Sequence, residues 1–233
     1  MRIEVAGENA LILYFGDIAS PELSTQIQHA SSRIANAMGD LLIDQIASYA
    51  SLLVIYDPLR CNHLNVRSII RKVINDIGVT GTYSNSKRKT YVEVPVYYSE
   101  ESGPDLYRIS ERSGLAIKEI IEIHQGSTYR AYAIGFAPGF AFLGHVDERI
   151  ATPRLKTPRS KVPRGAVGIA DRQTAVYPDE TPGGWNLIGL CPIQMFNPKK
   201  TPNMIIKVGD DVRFKAINRE EFINLGGKLD HPA

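Results

Sequence analysis

The order of apolar and polar residues divides the chain into a first part with regular helix and strand patterns and a second part rich in Pro and Gly. In the first part, short apolar runs predict strands at residues 3–6, 11–15, 41–48 and 52–57. Ser20 followed by Pro21 is typical of a helix start, because the hydroxyl can cap the helix and proline needs no amide donor there. We therefore expect a helix that continues to about Met38.

A second helix is indicated by apolar residues that recur every three or four positions and are followed by Gly78, a stop signal. Arg67, Arg71 and Asp76 fall on its other face. The apolar stripe predicts packing against a core and not a cofactor site. Its members are Val66, Ile69, Ile70, Val73, Ile74 and Ile77.

The apolar periodicity stops at residues 80–89, where small polar and basic residues replace it. We predict a domain boundary there, between an N-terminal domain of residues 1–82 and a C-terminal domain of residues 90–233. The start of the second domain predicts two strands with two short helices between them. The strands are expected at residues 91–97 and 128–136, and the helices at residues 104–112 and 116–124.

The rest of the second domain is predicted to be β structure. No helical period is present from residue 139 to about 215, and nine of the fourteen prolines lie between residues 136 and 202. Short strands joined by Pro and Gly turns indicate a closed or sandwiched β domain, with a last strand near residues 209–214. The predicted fold class is therefore α+β, with a small N-terminal α/β domain.

Composition narrows the class of protein. The chain has 233 residues with 43% hydrophobic and 22% charged side chains, and it begins without a signal sequence or a long apolar stretch. We therefore expect a cytoplasmic protein that does not span a membrane. Cys61 and Cys191 are isolated, which argues against a metal site or a disulfide framework. The net charge of +2 argues against a general nucleic-acid binder.

A proline-arginine repeat is the strongest candidate for a binding feature. It reads TPRLK, TPRSK and VPRGA at residues 152–166, and its prolines exclude a helix. Residues 149–164 contain six basic and no acidic residues, so positive charge is concentrated there. Arg154, Arg159 and Arg164 are candidates to bind carboxylate or phosphate, although an edge strand kept basic to prevent aggregation is the alternative. In an extended strand Arg159 would oppose the other two, so the three could share one pocket only across a bend.

Two Gly-rich segments with aromatic residues accompany the repeat. The first is GFAPGFAFLG at residues 135–144, and the second contains Pro182, Gly183, Gly184 and Trp185, the only tryptophan. A Gly pair permits close approach of the backbone to a ligand or supplies positive φ in a turn. Structural turns beside buried aromatic residues are the alternative interpretation of both segments.

These strings together resemble the B-subunit family of the bacterial 5-oxoprolinase complex, which includes the sporulation-kinase inhibitor protein and proteins labelled allophanate hydrolase subunit 1. The similarity is dense over residues 91–214 and looser before them. It rests on several motifs in the same order, which are GPDL at 103–106, IGF at 134–136, PGF at 138–140, the Pro-Arg repeats, VGIA at 167–170, QT at 173–174, PGGW at 182–185 and LIG at 187–189.

The resemblance implies a C-terminal cyclophilin-like β-barrel, without the isomerase activity of true cyclophilins. It also implies a complex that opens 5-oxo-L-proline to L-glutamate with ATP and Mg, in which the B and C subunits phosphorylate the substrate and the A subunit hydrolyses it. The implied partners are the C and A subunits, with homodimerisation within a heterotetramer as an arrangement the family allows. No GxxxxGK[ST] motif occurs, so we expect ATP to be bound mainly by or with the partner, and the chain alone to be inactive.

The remaining candidate residues follow from this chemistry. Phosphoryl transfer needs positioning and positive charge, which the arginines could supply, while Gln173 could hold an amide or carboxylate. Trp185 could form an apolar wall, and the amides near Gly183 and Gly184 could bind an oxyanion. As catalytic groups we consider His124, at the end of a predicted helix, and the loop carboxylate Asp179, with Glu180 as its rival.

Two departures from the family pattern and two other functions remain open. His145 with Val146, and Asp171, replace residue types that are usual in the family and could alter the substrate. A binding module that inhibits a sensor histidine kinase would need no basic pocket. A carboxylase or allophanate-pathway component, which acts on a urea-derived substrate, shares the same motifs.

Overall fold

The computed structural model describes residues 1–79 and 91–229 of the chain, which divide into two compact units. The units are Met1–Arg88 and Lys89–Ala233. The predicted boundary segment at residues 80–89 lies outside the described residues, so the domain limits stay a prediction.

The first unit is a four-stranded antiparallel sheet with two helices packed on one face. Its strand order is β1-β2-β4-β3. The elements are β1 (Arg2–Val5), β2 (Ala10–Tyr14), α1 (Pro21–Met38), β3 (Leu42–Ala47), β4 (Ser51–Tyr56) and α2 (His63–Val79). Alternate residues such as Leu11, Leu13 and Val54 are buried with the apolar stripes of the helices. The predicted elements are present, and Ser20 caps α1 by accepting a hydrogen bond from the Leu23 amide at 3.1 Å.

The second unit is a closed seven-stranded barrel with a separate two-stranded ribbon. The barrel order is β10-β7-β6-β13-β5-β12-β9, and the ribbon pairs β11 with β8. The barrel strands are β5 (Tyr91–Tyr97), β6 (Tyr129–Ile134), β7 (Ala141–Gly144), β9 (Ala166–Ala170), β10 (Gln173–Val176), β12 (Asn186–Leu190) and β13 (Asp211–Ile217). The ribbon strands are β8 (Arg159–Val162) and β11 (Thr181–Gly183), and the helices are α3 (Leu106–Ser113), α4 (Ile117–Gly126) and α5 (Arg219–Asn224).

The predicted α+β class with a C-terminal β-barrel is confirmed. The Pro-Arg repeat contains no helix, and only its second half is a strand. That strand belongs to the short ribbon, where Pro182 costs no barrel hydrogen bond. Among the described residues, no helix combines the length and apolarity that a membrane crossing requires.

Helix α5 was missed by the prediction from sequence. Its start carries a reciprocal cap, in which Asn218 accepts from the Glu221 amide at 2.9 Å and Glu221 accepts from the Asn218 amide at 3.1 Å. This capping-box spacing was a readable signal. The helix buries Phe222, which packs at 5.5 Å from the Tyr97 ring.

Candidate functional site

The first Pro-Arg repeat is held against the barrel by hydrogen bonds to its backbone. The buried side-chain amide of Asn186 donates to the carbonyl oxygens of Pro153 at 3.0 Å and Thr152 at 3.3 Å. On the other side of Arg154, the Leu155 amide donates to the Gly184 carbonyl at 2.7 Å. Because the backbone on both sides is tied to the segment after β11, the Arg154 side chain leaves from a defined position.

That position is the edge of a pocket which we call the aromatic cavity. Its volume is about 280 Å³. The rings meet mainly edge to face, with Phe140 at 5.5 Å from Trp185 and 5.3 Å from Tyr177. The preference of aromatic pairs for this geometry makes the wall rigid. The lining consists of Phe136, Phe140, Phe142, Arg154, Pro158, Tyr177, Pro182, Gly183, Gly184 and Trp185.

Phe136 forms the exposed part of this wall. Its φ is 71°, in a region that residues with a side chain rarely adopt, and the side chain is 65% exposed. Its ring nevertheless packs edge to face against Phe140 at 5.1 Å. A strained backbone that exposes an aromatic ring beside a cavity is typical of a ligand-binding site.

The charge of the aromatic cavity comes from Arg154. Its guanidinium carbon lies 5.8 Å from the centre of the Trp185 ring, within cation-π range. Among residues 1–79 and 91–229, Arg154 has no carboxylate partner. The cavity therefore combines apolar walls with one uncompensated positive charge.

Tyr177 places a hydroxyl group in the same cavity. Burial raises the pKa of Tyr177, and a hydrogen bond from the Trp185 backbone amide and the charges of Arg154 and Arg159 oppose that rise. The hydroxyl lies so close to Gly183 that a side chain at that residue would collide with it. Gly183 is therefore needed to make room for Tyr177.

A second cavity of about 280 Å³ uses other residues of the ribbon. Its floor includes Leu187, Leu190 and Leu229, and its charged groups are all engaged in ion pairs. Arg159 pairs with Asp105 at 2.8 Å, Lys161 pairs with Glu180 at 3.1 Å, and Glu101 pairs with Arg219 at 3.2 Å. Charge in this cavity is thus balanced within the chain.

Comparisons with known proteins place this architecture. A family profile described as "Carboxyltransferase domain, subdomain C and D" matches residues 1–206. The chain is 36% identical over 229 residues to the protein named as the B subunit of 5-oxoprolinase in Bacillus subtilis (strain 168), a match that covers 95% of each chain. This chain belongs to the carboxyltransferase domain, subdomain C and D, family. The resemblance to the B subunits of 5-oxoprolinases is thereby confirmed.

Two solved structures of the family are similar to this chain. The protein TTHA0988 is 32% identical, with a TM-score of 0.77 over 90% of this chain. This chain spans only 40% of the length of TTHA0988. A conserved uncharacterized protein, PH0987 from Pyrococcus horikoshii, is 41% identical, with a TM-score of 0.56 over 95% of this chain and the whole of the other.

The structure separates the three candidate arginines of this family member. Arg154 lines the aromatic cavity, Arg159 lines the second cavity, and Arg164 lines neither. Arg164 is exposed in the turn between β8 and β9, and its charge acts on Cys191. The expectation that the three cannot serve one pocket along an extended strand agrees with this arrangement.

His124 lies in the barrel core and not in either cavity. It is fully buried on α4, with one ring nitrogen 2.7 Å from the Tyr98 hydroxyl and the other 2.9 Å from the Thr174 hydroxyl. Phe214 stacks on its ring at 4.6 Å. Burial lowers the pKa of His124 to about 3. A group closed off from both cavities has no route to a substrate proton, so its position argues against the predicted catalytic base.

The other polar candidates also lie away from the aromatic cavity. Asp179 is exposed and accepts a hydrogen bond from the Glu180 amide at 2.8 Å, which is the geometry of a turn residue. Gln173 begins β10, opposite Gly144 and Ala170, and lines neither cavity. Of the polar candidates, Arg154 remains at the aromatic cavity, together with Gly183, Gly184 and Trp185.

The two departures from the family pattern do not line the aromatic cavity either. Asp171 lies in the turn between β9 and β10 with a φ of 51° and is exposed. The His145 ring packs 5.3 Å from Tyr132. The idea that they alter this pocket directly is therefore not supported by their positions.

Three important residues were missed by reasoning from sequence. Tyr177 was noted only as part of a loop, Asn186 only as part of a motif, and Asp105 only as a helix start. Each acts through a partner at least 30 positions away or across the barrel, as when Arg159 pairs with Asp105. A weak signal existed for Asn186, since a polar residue inside an apolar strand pattern indicates a buried hydrogen-bonding role.

The first prediction concerns the Gly pair, for which sequence favoured Gly184 as the sensitive residue. Gly184 does not have positive φ, and a methyl group there would meet Leu155 and Pro158 at ordinary distances of 3.6 and 3.7 Å. Gly183→Ala would push against the buried Tyr177 hydroxyl. We expect Gly183→Ala to lower the free energy of unfolding by about 1–3 kcal/mol and Gly184→Ala by less than about 0.5 kcal/mol.

Chemical denaturation of both variants checks this order. Equal stabilities would show that the Tyr177 ring can move at no cost. A larger loss for Gly184→Ala would contradict the assignment.

The second prediction concerns Arg159, which sequence treated as an exposed charge of little structural importance. The structure corrects this, because Asp105 is buried and its other carboxylate oxygen accepts from the Leu187 amide. We expect Arg159→Ala to lower the free energy of unfolding by about 1.5–3 kcal/mol, since it leaves Asp105 with an unpaired charge. Arg164→Ala is the matched control, and an equal loss in both variants would refute the role of the ion pair.

Proposed function

We propose that this chain is a component of an ATP-dependent 5-oxoprolinase complex and that it holds 5-oxo-L-proline in the aromatic cavity. The observation that carries the proposal is the combination of aromatic walls with the uncompensated charge of Arg154. The relatives named as B subunits of 5-oxoprolinase support the same reaction.

The chemistry of the substrate fits this pocket. 5-Oxo-L-proline is a small five-membered lactam with one carboxylate. The flat ring packs against the aromatic faces, and the carboxylate binds the guanidinium of Arg154. A second carboxylate would find no second free cation in the lining, so the cavity favours the lactam over its ring-opened product.

The described residues do not fit a nucleotide triphosphate equally well. Such a group needs several positive or amide donors together, but the aromatic cavity has one cation. In the second cavity, Arg159 and Lys161 are already paired with carboxylates, and Glu101 and Glu180 add negative charge. We therefore place ATP, with its magnesium, on the partner protein.

The partner in this proposal is the C subunit, with the A subunit as the hydrolytic component. The name of the relatives implies further subunits in their complexes, and TTHA0988 supports a close association, since more than half of that longer chain lies outside the similarity. Without a nucleotide site, this chain alone does not turn over the lactam.

The test combines binding with reconstitution. Trp185 is the only tryptophan and lines the cavity, so its fluorescence reports occupancy directly. We expect 5-oxo-L-proline to change the emission of the isolated chain, and the mixed subunits with ATP to produce glutamate. Unchanged emission together with no dependence of the complex on this chain would rule the proposal out.

A further inference from the structure

The Tyr177 hydroxyl is the polar group of the aromatic cavity that the proposed function has not yet used. The ring is 1% exposed, so the hydroxyl cannot simply be solvated by bulk water. It is held between the Phe136, Phe140 and Trp185 rings, whose centres lie 6.3, 5.3 and 6.5 Å from its own. The orientation of the hydroxyl is therefore set by packing.

The hydrogen bond from Trp185 determines what this hydroxyl can offer. A phenol oxygen accepts through its lone pairs and donates through one proton. Since the Trp185 amide donates to the oxygen, that role is taken by the backbone. Within the described part of the chain, no acceptor for the Tyr177 proton is present.

We propose that Tyr177 donates a hydrogen bond to the lactam carbonyl oxygen of the substrate. This inference rests on the proposed function, because it concerns the same cavity and ligand. Arg154 then binds one end of the ligand through its carboxylate, and Tyr177 binds the carbonyl end. Two anchors at opposite ends of a small ring fix its orientation between the aromatic walls.

The arrangement leaves the carbonyl oxygen chemically available. A carbonyl oxygen has two lone pairs, so one bond from Tyr177 leaves the other lone pair free. The burial that raises the pKa of Tyr177 keeps the hydroxyl protonated and able to donate at neutral pH. Tyr177 is thus a binding residue that orients the reacting oxygen.

The experiment separates the two ends of the ligand. Calorimetric titration of the full chain and of the assembled complex compares 5-oxo-L-proline with cyclopentanecarboxylate, which keeps the carboxylate and ring but lacks the lactam. We expect Tyr177→Phe to weaken 5-oxo-L-proline by about tenfold, as expected for one lost hydrogen bond, and to leave cyclopentanecarboxylate within about twofold. Arg154→Gln should weaken both ligands.

Each outcome decides between the claims. An equal effect of Tyr177→Phe on both ligands, or none on 5-oxo-L-proline, overturns the hydrogen bond while the Arg154 dependence still supports the proposed function. If the wild-type chain and complex bind neither ligand, the proposed function fails first. A ligand-side deletion covers a variant that does not fold, since the thiolactam of 5-oxoproline should bind the wild type about tenfold more weakly, because sulfur is a poorer acceptor. Equal affinity of the lactam and thiolactam would also overturn the inference.

Discussion

Arg154→Gln is expected to reduce kcat/KM of the assembled complex for 5-oxo-L-proline by about 30-fold to 100-fold, while the free energy of unfolding changes by less than about 0.5 kcal/mol. Loss of the charge removes the group that holds the substrate carboxylate, and a charged hydrogen bond contributes about 1.5–3 kcal/mol. The side chain itself is exposed and has no carboxylate partner among the described residues, so folding should not depend on it.

The controls for this prediction come from the same repeat. Arg164→Gln removes an equally exposed arginine outside both cavities, and we expect activity within about twofold of the wild type. Arg154→Lys keeps the charge but not the forked donors, so its activity should fall between those of the wild type and Arg154→Gln. Steady-state kinetics at saturating ATP checks all three variants, and equal losses for Arg154→Gln and Arg164→Gln would show that general positive charge, and not this site, matters.

Most secondary structure was predictable because its causes are local. The start of α1 depends on Ser20 and Pro21, which are adjacent in sequence, and α2 follows from a stripe with helical spacing. The absence of a helix in the repeat follows from its prolines. The strand order of the barrel was not predictable, because the parallel pairing of β13 with β5 joins segments more than 100 residues apart.

The site was predictable only in part, for the same reason. The Gly pair, Trp185 and Arg154 were found because they belong to continuous motifs. The distinction between Arg154 and Arg159 was not, since it depends on a carboxylate 54 residues away, at Asp105. Sequence also cannot separate a buried histidine from a catalytic one when both follow the end of a helix.

The stability of the protein should therefore depend on pH through His124. Because burial holds the pKa of His124 at about 3, the folded chain binds no proton there between pH 6.5 and 4.5, whereas the unfolded chain does. The unfolded state then binds more protons, so stability falls as the pH is lowered through this range, by up to about 1.4 kcal/mol per pH unit. The bond from the Arg149 side chain holds the pKa of Asp147 to about 2, so that carboxyl exchanges protons only at lower pH.

His124→Gln tests this assignment, and it also decides between a core residue and a catalytic base. Glutamine can still hydrogen-bond the Tyr98 and Thr174 hydroxyls but has no proton to gain, so the variant should be less stable at pH 7 and should lose much of the slope between pH 6.5 and 4.5. His29→Gln, on the exposed side of α1, controls for the loss of a histidine as such. Denaturant unfolding across this pH range gives the slopes directly. A solvent-accessible base would titrate in the folded chain almost as it does in the unfolded chain and would add little slope, so a wild-type slope that His124→Gln leaves unchanged would return His124 to the list of catalytic candidates.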